Sequence, residues 1–383
     1  MSYMGTMLPK FAARHGAEVH LVALNLPPYH HAPTVAGMYA EIAGGALLPT
    51  SEPEVVDGYR VHLLAYRRLF GYVAARGLAR KLAELKPDVI YSFSAIGWLP
   101  LQALVYRLRH GARLFTGSHT TASTFPLASD PHPWLTARGV GCFLSRWLPG
   151  RLVSLFTEKC YAPTADCARV ASRFFGVQSR KVKVVHLGVD PDVFHPLTTV
   201  PERLQRRRLR EQLGFTDDEI VCICTGKLTA DKQVLLLADA IGRLQQQGQR
   251  FRALFIGAGP LQEALAAKPG CVVLGHMPFT ALADYYRAAE IGVWPGTEST
   301  SMLDAAACGL PLVVSDRIYR AHVDGNGRTY RGGELDDLVA VLGGLADADL
   351  RRELGTAGTR KMRRAFNWDT IAFDRLADFG AAL

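Results

Sequence analysis

Between Trp294 and Asp316 the chain reads WPGTESTSMLDAAACGLPLVVSD, and this stretch gathers residue types suited to binding a polar ligand. Glu298 stands among Ser299, Thr300 and Ser301, and Asp304 follows in the first turn of an Ala-rich, helix-forming run, Leu303 to Cys308. A carboxylate accepts hydrogen bonds from two hydroxyls at once, which suits sugar or ribose, and free N–H groups at a helix N-terminus take phosphate. Taken alone, the stretch reads equally well as a polar loop, with Glu298 solvated and Asp304 only favouring the helix dipole. A second group, Thr225–Lys232 (TGKLTADK), sets Gly226 and two lysines, Lys227 and Lys232, between a strand and a helix. That is an anion site in outline, although the GxxxxGK spacing of a P-loop is absent. His119 closes RLFTGSH (Arg113–His119), at the carboxyl end of a strand, where α/β proteins bind ligands. On position alone, a capping or core-satisfied histidine is the slightly better account.

Positioning these groups requires alternating strands and helices, and the pattern supplies them. Gly5 is followed by a helical run with Met7, Leu8, Phe11 and Ala12 on one face, and then by a strand, Ala17–Asn25. Pro27 to Gly58 is rich in proline and glycine; His30 and His31 within it lack an acid or thiol at ligand spacing, which favours a solvated loop over a metal site. Arg60–Ala65 reads as a short strand, Tyr66–Leu85 as a basic amphipathic helix, Asp88–Ser94 as a buried parallel strand, and Leu99 to His110 as a helix. Phe143–Lys159 mixes aromatic, apolar and basic residues in a way that suits an interface, but Pro149-Gly150 is expected to break any single helix, and packing is the better account of its apolar members. Cys160–Thr164, a helix to Phe175 and Val182–His186 lead to HLGVDPDVFHP, and Arg203–Arg210 reads as a solvated basic helix. The α/β pattern then restarts: strand Ile220–Cys224, helix Gln233 to Gln246, strand and Gly-Pro turn Phe251–Pro260 with Gly257 and Gly259, strand Val272–His276, helix Thr280–Ala289, and strand Ile291–Trp294. A turn at Asp324–Arg331, a helix Asp336–Leu345 and a terminal helix after Phe366-Asn367-Trp368 complete the chain.

At 383 residues, two domains are expected. No stretch offers the roughly 18 uninterrupted apolar residues of a membrane span, and no basic-then-apolar leader is evident, so a cytoplasmic protein is expected. Seven cysteines without metal-ligand spacing read as buried reduced thiols, with Cys222 and Cys224 on one strand face. Residues 1–195 carry 21 Lys+Arg against 12 Asp+Glu, whereas residues 196–383 carry 23 against 23, so the whole net charge of +9 lies in the first half. A basic surface attracts nucleic acid, anionic lipid or acidic ligands alike. No nucleic-acid motif accompanies it, which favours an anionic acceptor or the inner face of a membrane, and the Arg-rich Tyr66–Leu85 run is the expected docking element.

In five ordered motifs the chain resembles the retaining GT-B glycosyltransferases of family 4, "glycosyl transferases group 1". LDAAACGLPLVV is similar to the family's donor-sugar helix, with Glu298 and Asp304 matching its two acids. TGKLTADK is similar to the family's V-G-R-L-x-x-x-K-G, with Lys227 for the arginine and Lys232 for the second cation. GAGP, Gly257 to Pro260, matches G-x-G-P; GVDPDVFHP matches the inter-domain N-G-V-D-x-x-x-F-x-P; and the GSH ending in His119 is similar to the element whose histidine reaches the donor sugar. Three departures stand out. Five residues separate the acids where the family has seven, the second acid is Asp, and Ser and Thr replace the glycines after the first.

The resemblance implies two doubly wound Rossmann-like domains facing across a cleft: residues 1–195 on the acceptor side, 196–360 for the donor, and 361–383 a helix crossing back. It implies a retaining transfer from a nucleotide-diphosphate sugar to a lipid-linked, glycan or small-molecule acceptor, with no cofactor and no metal. Lys227 and Lys232 would stabilise the departing diphosphate, Glu298 would hold donor-sugar hydroxyls, Asp304 the ribose, and His119 the sugar from the other domain. Gly5, Gly226, Gly257, Gly259, Ser299, Thr300 and Ser301 would line the donor. The altered motifs also suit a non-catalytic sugar-binding or regulatory partner of the same fold. In such domains a central strand precedes the Gly5 loop, yet only four residues do so here. The expectation is that Met1 is internal and that roughly ten upstream residues supply an apolar strand.

Overall fold

The structure is a computed structural model, and it describes residues 3–26 and 54–380. His30 and His31 lie outside the described residues. The chain divides into two compact units, Met1–Leu187 with Asp369–Leu383, and Gly188–Trp368.

In the first unit, strands β1 (His20–Leu24), β2 (Glu54–Val56) and β3 (Tyr59–Leu64) form one sheet in the order β1-β3-β2. β4 (Tyr66–Leu69) and β5 (Tyr72–Ala75) form a hairpin. A third, parallel sheet runs β6 (Val89–Ser92), β7 (Arg113–Gly117), β8 (Cys160–Ala162), β9 (Val182–Val184). Among the described residues no ladder joins β1 to β6.

Three expectations for this unit are corrected. Tyr66–Leu85 is not one helix: Phe70 (φ 48°) and Gly71 (φ 76°) make a two-residue left-handed turn, the geometry that closes a hairpin, and the helix begins only at Leu78 after Gly77 (φ 78°). Its apolar residues fitted a helical period, but two glycines with positive φ broke it. Gly5 does not sit in a loop; it lies inside the helix Tyr3–Arg14. Pro149-Gly150 does not break the helical run, because a π-turn, Phe143–Trp147, joins the helices Ala137–Cys142 and Leu148–Phe156. Pro149 sits at the join, just after the π segment, where the hydrogen-bond ladder changes register. Gly150 is needed there, since a Cβ would meet the Phe175 carbonyl oxygen at 2.0 Å.

The second unit holds a six-stranded, all-parallel sheet of β10 (Ile220–Thr225), β11 (Phe251–Ile256), β12 (Cys271–Leu274), β13 (Ile291–Trp294), β14 (Leu312–Ser315) and β15 (Gly327–Tyr330). Its strands are apolar on both faces because helices cover both. Val221, Ile223, Leu254 and Ile256 enter one core, while Cys222, Cys224, Ala253 and Phe255 enter the other, following the two-residue period of a strand. The spatial order β12-β11-β10-β13-β14-β15, numbered within the unit, is 3-2-1-4-5-6, the doubly wound order. Gly327–Tyr330, read from sequence as part of a turn, is the last edge strand.

The basic run Arg203–Arg210, expected to be solvated, is not solvated throughout. It lies in the helix Val200–Gln212, and the Arg210 side chain is 1% exposed. Its guanidinium donates to both carboxylate oxygens of Glu290, at 2.9 and 3.0 Å, and to the carbonyls of Ala288, Thr216 and Glu219.

Candidate active site

In a doubly wound sheet the strand order reverses at one place, and the loops leaving the carboxyl ends of the two flanking strands diverge to open a crevice. Here that place lies between β10 and β13. Gly226, Lys227 and Lys232 follow β10, and Glu298, Ser299, Thr300 and Ser301 follow β13. The structure therefore brings together two clusters that are 66 residues apart in sequence. Lys232 Nζ donates to the carbonyls of Glu298 (2.8 Å) and Thr297 (3.4 Å). Gly296 lies so close that a Cβ there would meet the Asp231 carbonyl oxygen at 2.3 Å.

The second pair of glycines explains the contact with β11. Gly226 N–H donates to the Ile256 carbonyl and Leu228 N–H to that of Ala258, so the loops after β10 and β11 stay paired beyond their strands. A Cβ on Gly257 (φ 152°) would lie 1.8 Å from the Gly226 oxygen, and one on Gly259 would lie 2.2 Å from that of Leu228. Gly257→Ala is expected to destabilise this unit by about 1–3 kcal/mol through backbone strain and to displace the Gly226 loop. An unchanged melting temperature would show that the loops can separate at little cost.

Burial pushes the Lys232 ammonium below its ordinary pKa; the neighbouring Lys227 charge adds to this, and Asp231, Cys224 and Glu298 oppose it. Two like charges held together in a half-buried loop are stabilised by an incoming anion. Glu298 is exposed, and its Oε1 accepts the Tyr319 N–H at 2.7 Å, which fixes the carboxylate. Ser299 and Ser301 share a hydroxyl contact at 2.7 Å, and Thr300 immediately precedes the helix Ser301–Ala307. Asp304, on that helix, is only 5% exposed, and its charge, with burial as the larger cause, raises the Tyr286 phenol well above its usual range.

Sequence reading missed Thr225, whose carbonyl takes the Trp294 indole N–H (3.1 Å) and whose hydroxyl meets Tyr286 Oη at 2.8 Å. It also missed Tyr319. Neither is marked by local spacing: Tyr319 acts through its backbone N–H, and the partners of Thr225, Tyr286 and Trp294, lie more than sixty residues away in sequence. Among the described residues no group of three or more His, Cys, Asp or Glu is placed to hold a metal ion.

His119 belongs to the first unit, two residues beyond β7. Its Cε1 and Tyr91 Oη crowd Gly117, at 2.9 and 2.6 Å from where a Cβ would stand. Burial pushes the imidazole pKa down; a hydrogen bond to the Phe93 backbone opposes this and the Arg375 charge adds to it. A histidine held neutral when folded binds more protons when unfolded, so stability falls as pH drops below about 6.5. Between about pH 7 and pH 5 the wild-type melting temperature should fall further than that of His119→Gln. Equal falls would mean that the folded imidazole ionises freely.

Gly5 lies within the helix Tyr3–Arg14 of the first unit.

Residues 219–347 match the family described as "Glycosyl transferases group 1", and residues 7–193 match "Glycosyltransferase Family 4". The chain is 30% identical over 346 residues, 82% of its length and 71% of the relative's, to a D-inositol 3-phosphate glycosyltransferase of Geodermatophilus obscurus. It is 27% identical to one from Streptomyces griseus, over 90% of this chain and 80% of that protein. Among solved structures, HepE of Anabaena in complex with UDP and glucose superposes with a TM-score of 0.67 at 16% identity, covering 100% of this chain and 96% of the other. Sucrose-phosphate synthase of Thermosynechococcus elongatus does so with a TM-score of 0.67 at 15% identity, covering 97% and 91%.

Proposed function

The chain belongs to the group 1 glycosyltransferases of family 4, with the GT-B fold of two Rossmann-like domains, and from that premise we propose that it transfers a sugar with retention from a nucleotide-diphosphate sugar. The observation that supports the donor reading most is the junction at the β10–β13 switch point, where Lys232 ties the cation-bearing loop to the acid-bearing loop. In the reaction the bond from the anomeric carbon to the diphosphate oxygen breaks, and its electron pair leaves with the nucleoside diphosphate. The acceptor oxygen forms the new bond and gives up its proton to the departing diphosphate oxygen. Negative charge grows on the leaving diphosphate, so cations already fixed there lower the barrier most. Lys227 and Lys232 take that role. Glu298, oriented by the Tyr319 N–H, accepts from hydroxyls of the donor sugar, and Ser299, Thr300 and Ser301 supply hydroxyls where the family carries glycine. Asp304 is assigned to the ribose, the neutral His119 to the sugar, and Gly226, Gly257 and Gly259 to the close backbone approach a diphosphate requires.

The HepE structure holds UDP, and the curated relatives are named for D-inositol 3-phosphate, so a UDP-sugar and a small phosphorylated polyol are the first donor and acceptor to try. A lipid-linked or glycan acceptor is the alternative. The test is a mass-spectrometric screen of UDP-, GDP- and ADP-sugars for binding and turnover, with and without inositol phosphate. Binding of none of these donors would sink the donor assignment.

A further inference from the structure

The continuous helical run 137–156 in the first unit carries an apolar stripe that the described residues leave exposed. Val140, Phe143, Leu144, Leu148, Leu152 and Leu155 point outward, and among the described residues each remains between 40% (Phe143) and 59% (Leu144) exposed. The spacing 140, 144, 148, 152 follows one turn after another, so these side chains form a line on one face. At 1.5 Å per residue a run of twenty residues is about 30 Å long. The opposite face is well buried: Cys142 and Val153 lie in two separate cores, and Val153 packs with Leu104 of the helix Trp98–His110. That neighbouring helix adds Val105 and Leu108, also exposed. A soluble surface rarely lines up this many large apolar side chains without a partner.

The charge around the stripe identifies the partner. From Val89 to Thr157 the sequence holds one acidic residue, Asp130, against six arginines. Arg138 and Arg109 are exposed on the two helices, and Arg180 is exposed beside Lys181, whose ammonium donates to the Ser154, Leu155 and Thr157 carbonyls at the end of the stripe. A second copy docking through this face would set the same arginine-rich, acid-poor segment against itself, and like-charge juxtaposition opposes that. An anionic lipid surface satisfies both features, since it takes leucine side chains below its headgroups and arginines at them. We propose that the helical run 137–156 is a membrane-surface docking element, lying in the plane of an anionic bilayer with its leucine stripe inserted. No helix among the described residues is long and apolar enough to cross a membrane, so this is attachment to one face. The inference does not depend on the donor chemistry.

The experiment is co-sedimentation of the full chain with phosphatidylcholine vesicles made with and without phosphatidylglycerol. Wild type should bind the anionic vesicles and release them as salt rises. Leu144→Glu/Leu152→Glu, an exposed pair, should weaken binding at least about tenfold with an unchanged melting temperature. Arg109→Glu/Arg138→Glu keeps the proposal testable if the first variant folds poorly, and should lose the preference for anionic vesicles. Undiminished binding by either folded variant, or no binding by wild type, overturns the proposal. So does a wild-type dimer in sedimentation that the leucine variant converts to monomer without any change in vesicle binding.

Discussion

Lys227→Ala and Lys232→Ala are each expected to lower turnover at least roughly tenfold, equivalent to about 1.4 kcal/mol of barrier. The two residues should differ in how. Lys227 offers its charge from the loop after β10, and its loss should appear mainly in kcat, because charge on the leaving diphosphate is fully developed only in the transition state. Lys232 also holds the carbonyls of Thr297 and Glu298, so its removal frees the loop that carries the sugar-binding carboxylate. Its variant should lose donor affinity as well as kcat. Lys232→Arg restores a cation but not the compact ammonium geometry between two carbonyls, and should recover only part of the loss. Purified variants with wild-type turnover and unchanged donor affinity would remove the lysines from the diphosphate site.

Arg210→Met is expected to be the most damaging substitution for stability. The Arg210 guanidinium is buried, and Glu290, which it holds, also accepts from Arg206 and from the Val221 N–H at the start of β10. Removing the guanidinium takes the buried cation from Glu290, leaving Arg206 and the Val221 N–H, and strips the Ala288, Thr216 and Glu219 carbonyls of their donor; breaking a buried ion pair typically costs about 3–5 kcal/mol. For a unit of this size that corresponds to a fall of about 6–20 °C in melting temperature. Glu290→Gln should show a smaller loss, since the amide still accepts one guanidinium bond. Calorimetry of the intact chain measures both. A change of less than a few degrees in Arg210→Met would show that the helix Val200–Gln212 docks by its apolar residues alone.

The elements that carry the site were legible in the sequence because each is a strong local pattern. Ile220–Thr225 and Ile291–Trp294 are apolar at nearly every position, which is what a parallel strand buried on both faces requires, and Gly309-Leu310-Pro311 ends the motif helix by backbone chemistry alone. Cys222 and Cys224 fall on one face because a strand alternates with period two. Where two patterns overlap, the local signal misled. Leu69, Val73 and Leu82 fit a helical period, but the positive φ at Phe70, Gly71 and Gly77 turned the segment into a hairpin and a short helix. Pro149 suggested a break, and a π-turn absorbed it.

What only the tertiary structure decided are the pairings between distant residues. Lys232 and the Thr297–Glu298 carbonyls meet because β13 enters beside β10, and no local property of either segment states which strand will neighbour it. Arg210 reads as one more arginine in a solvated run until Glu290, brought alongside by β13, buries it. The outward face of 137–156 is of the same kind. Its sequence announces apolar residues, and only the packing of Cys142 and Val153 into their cores determines which of them remain in water. Hydrophobic period fixes elements locally; burial and charge pairing depend on which elements the fold sets side by side.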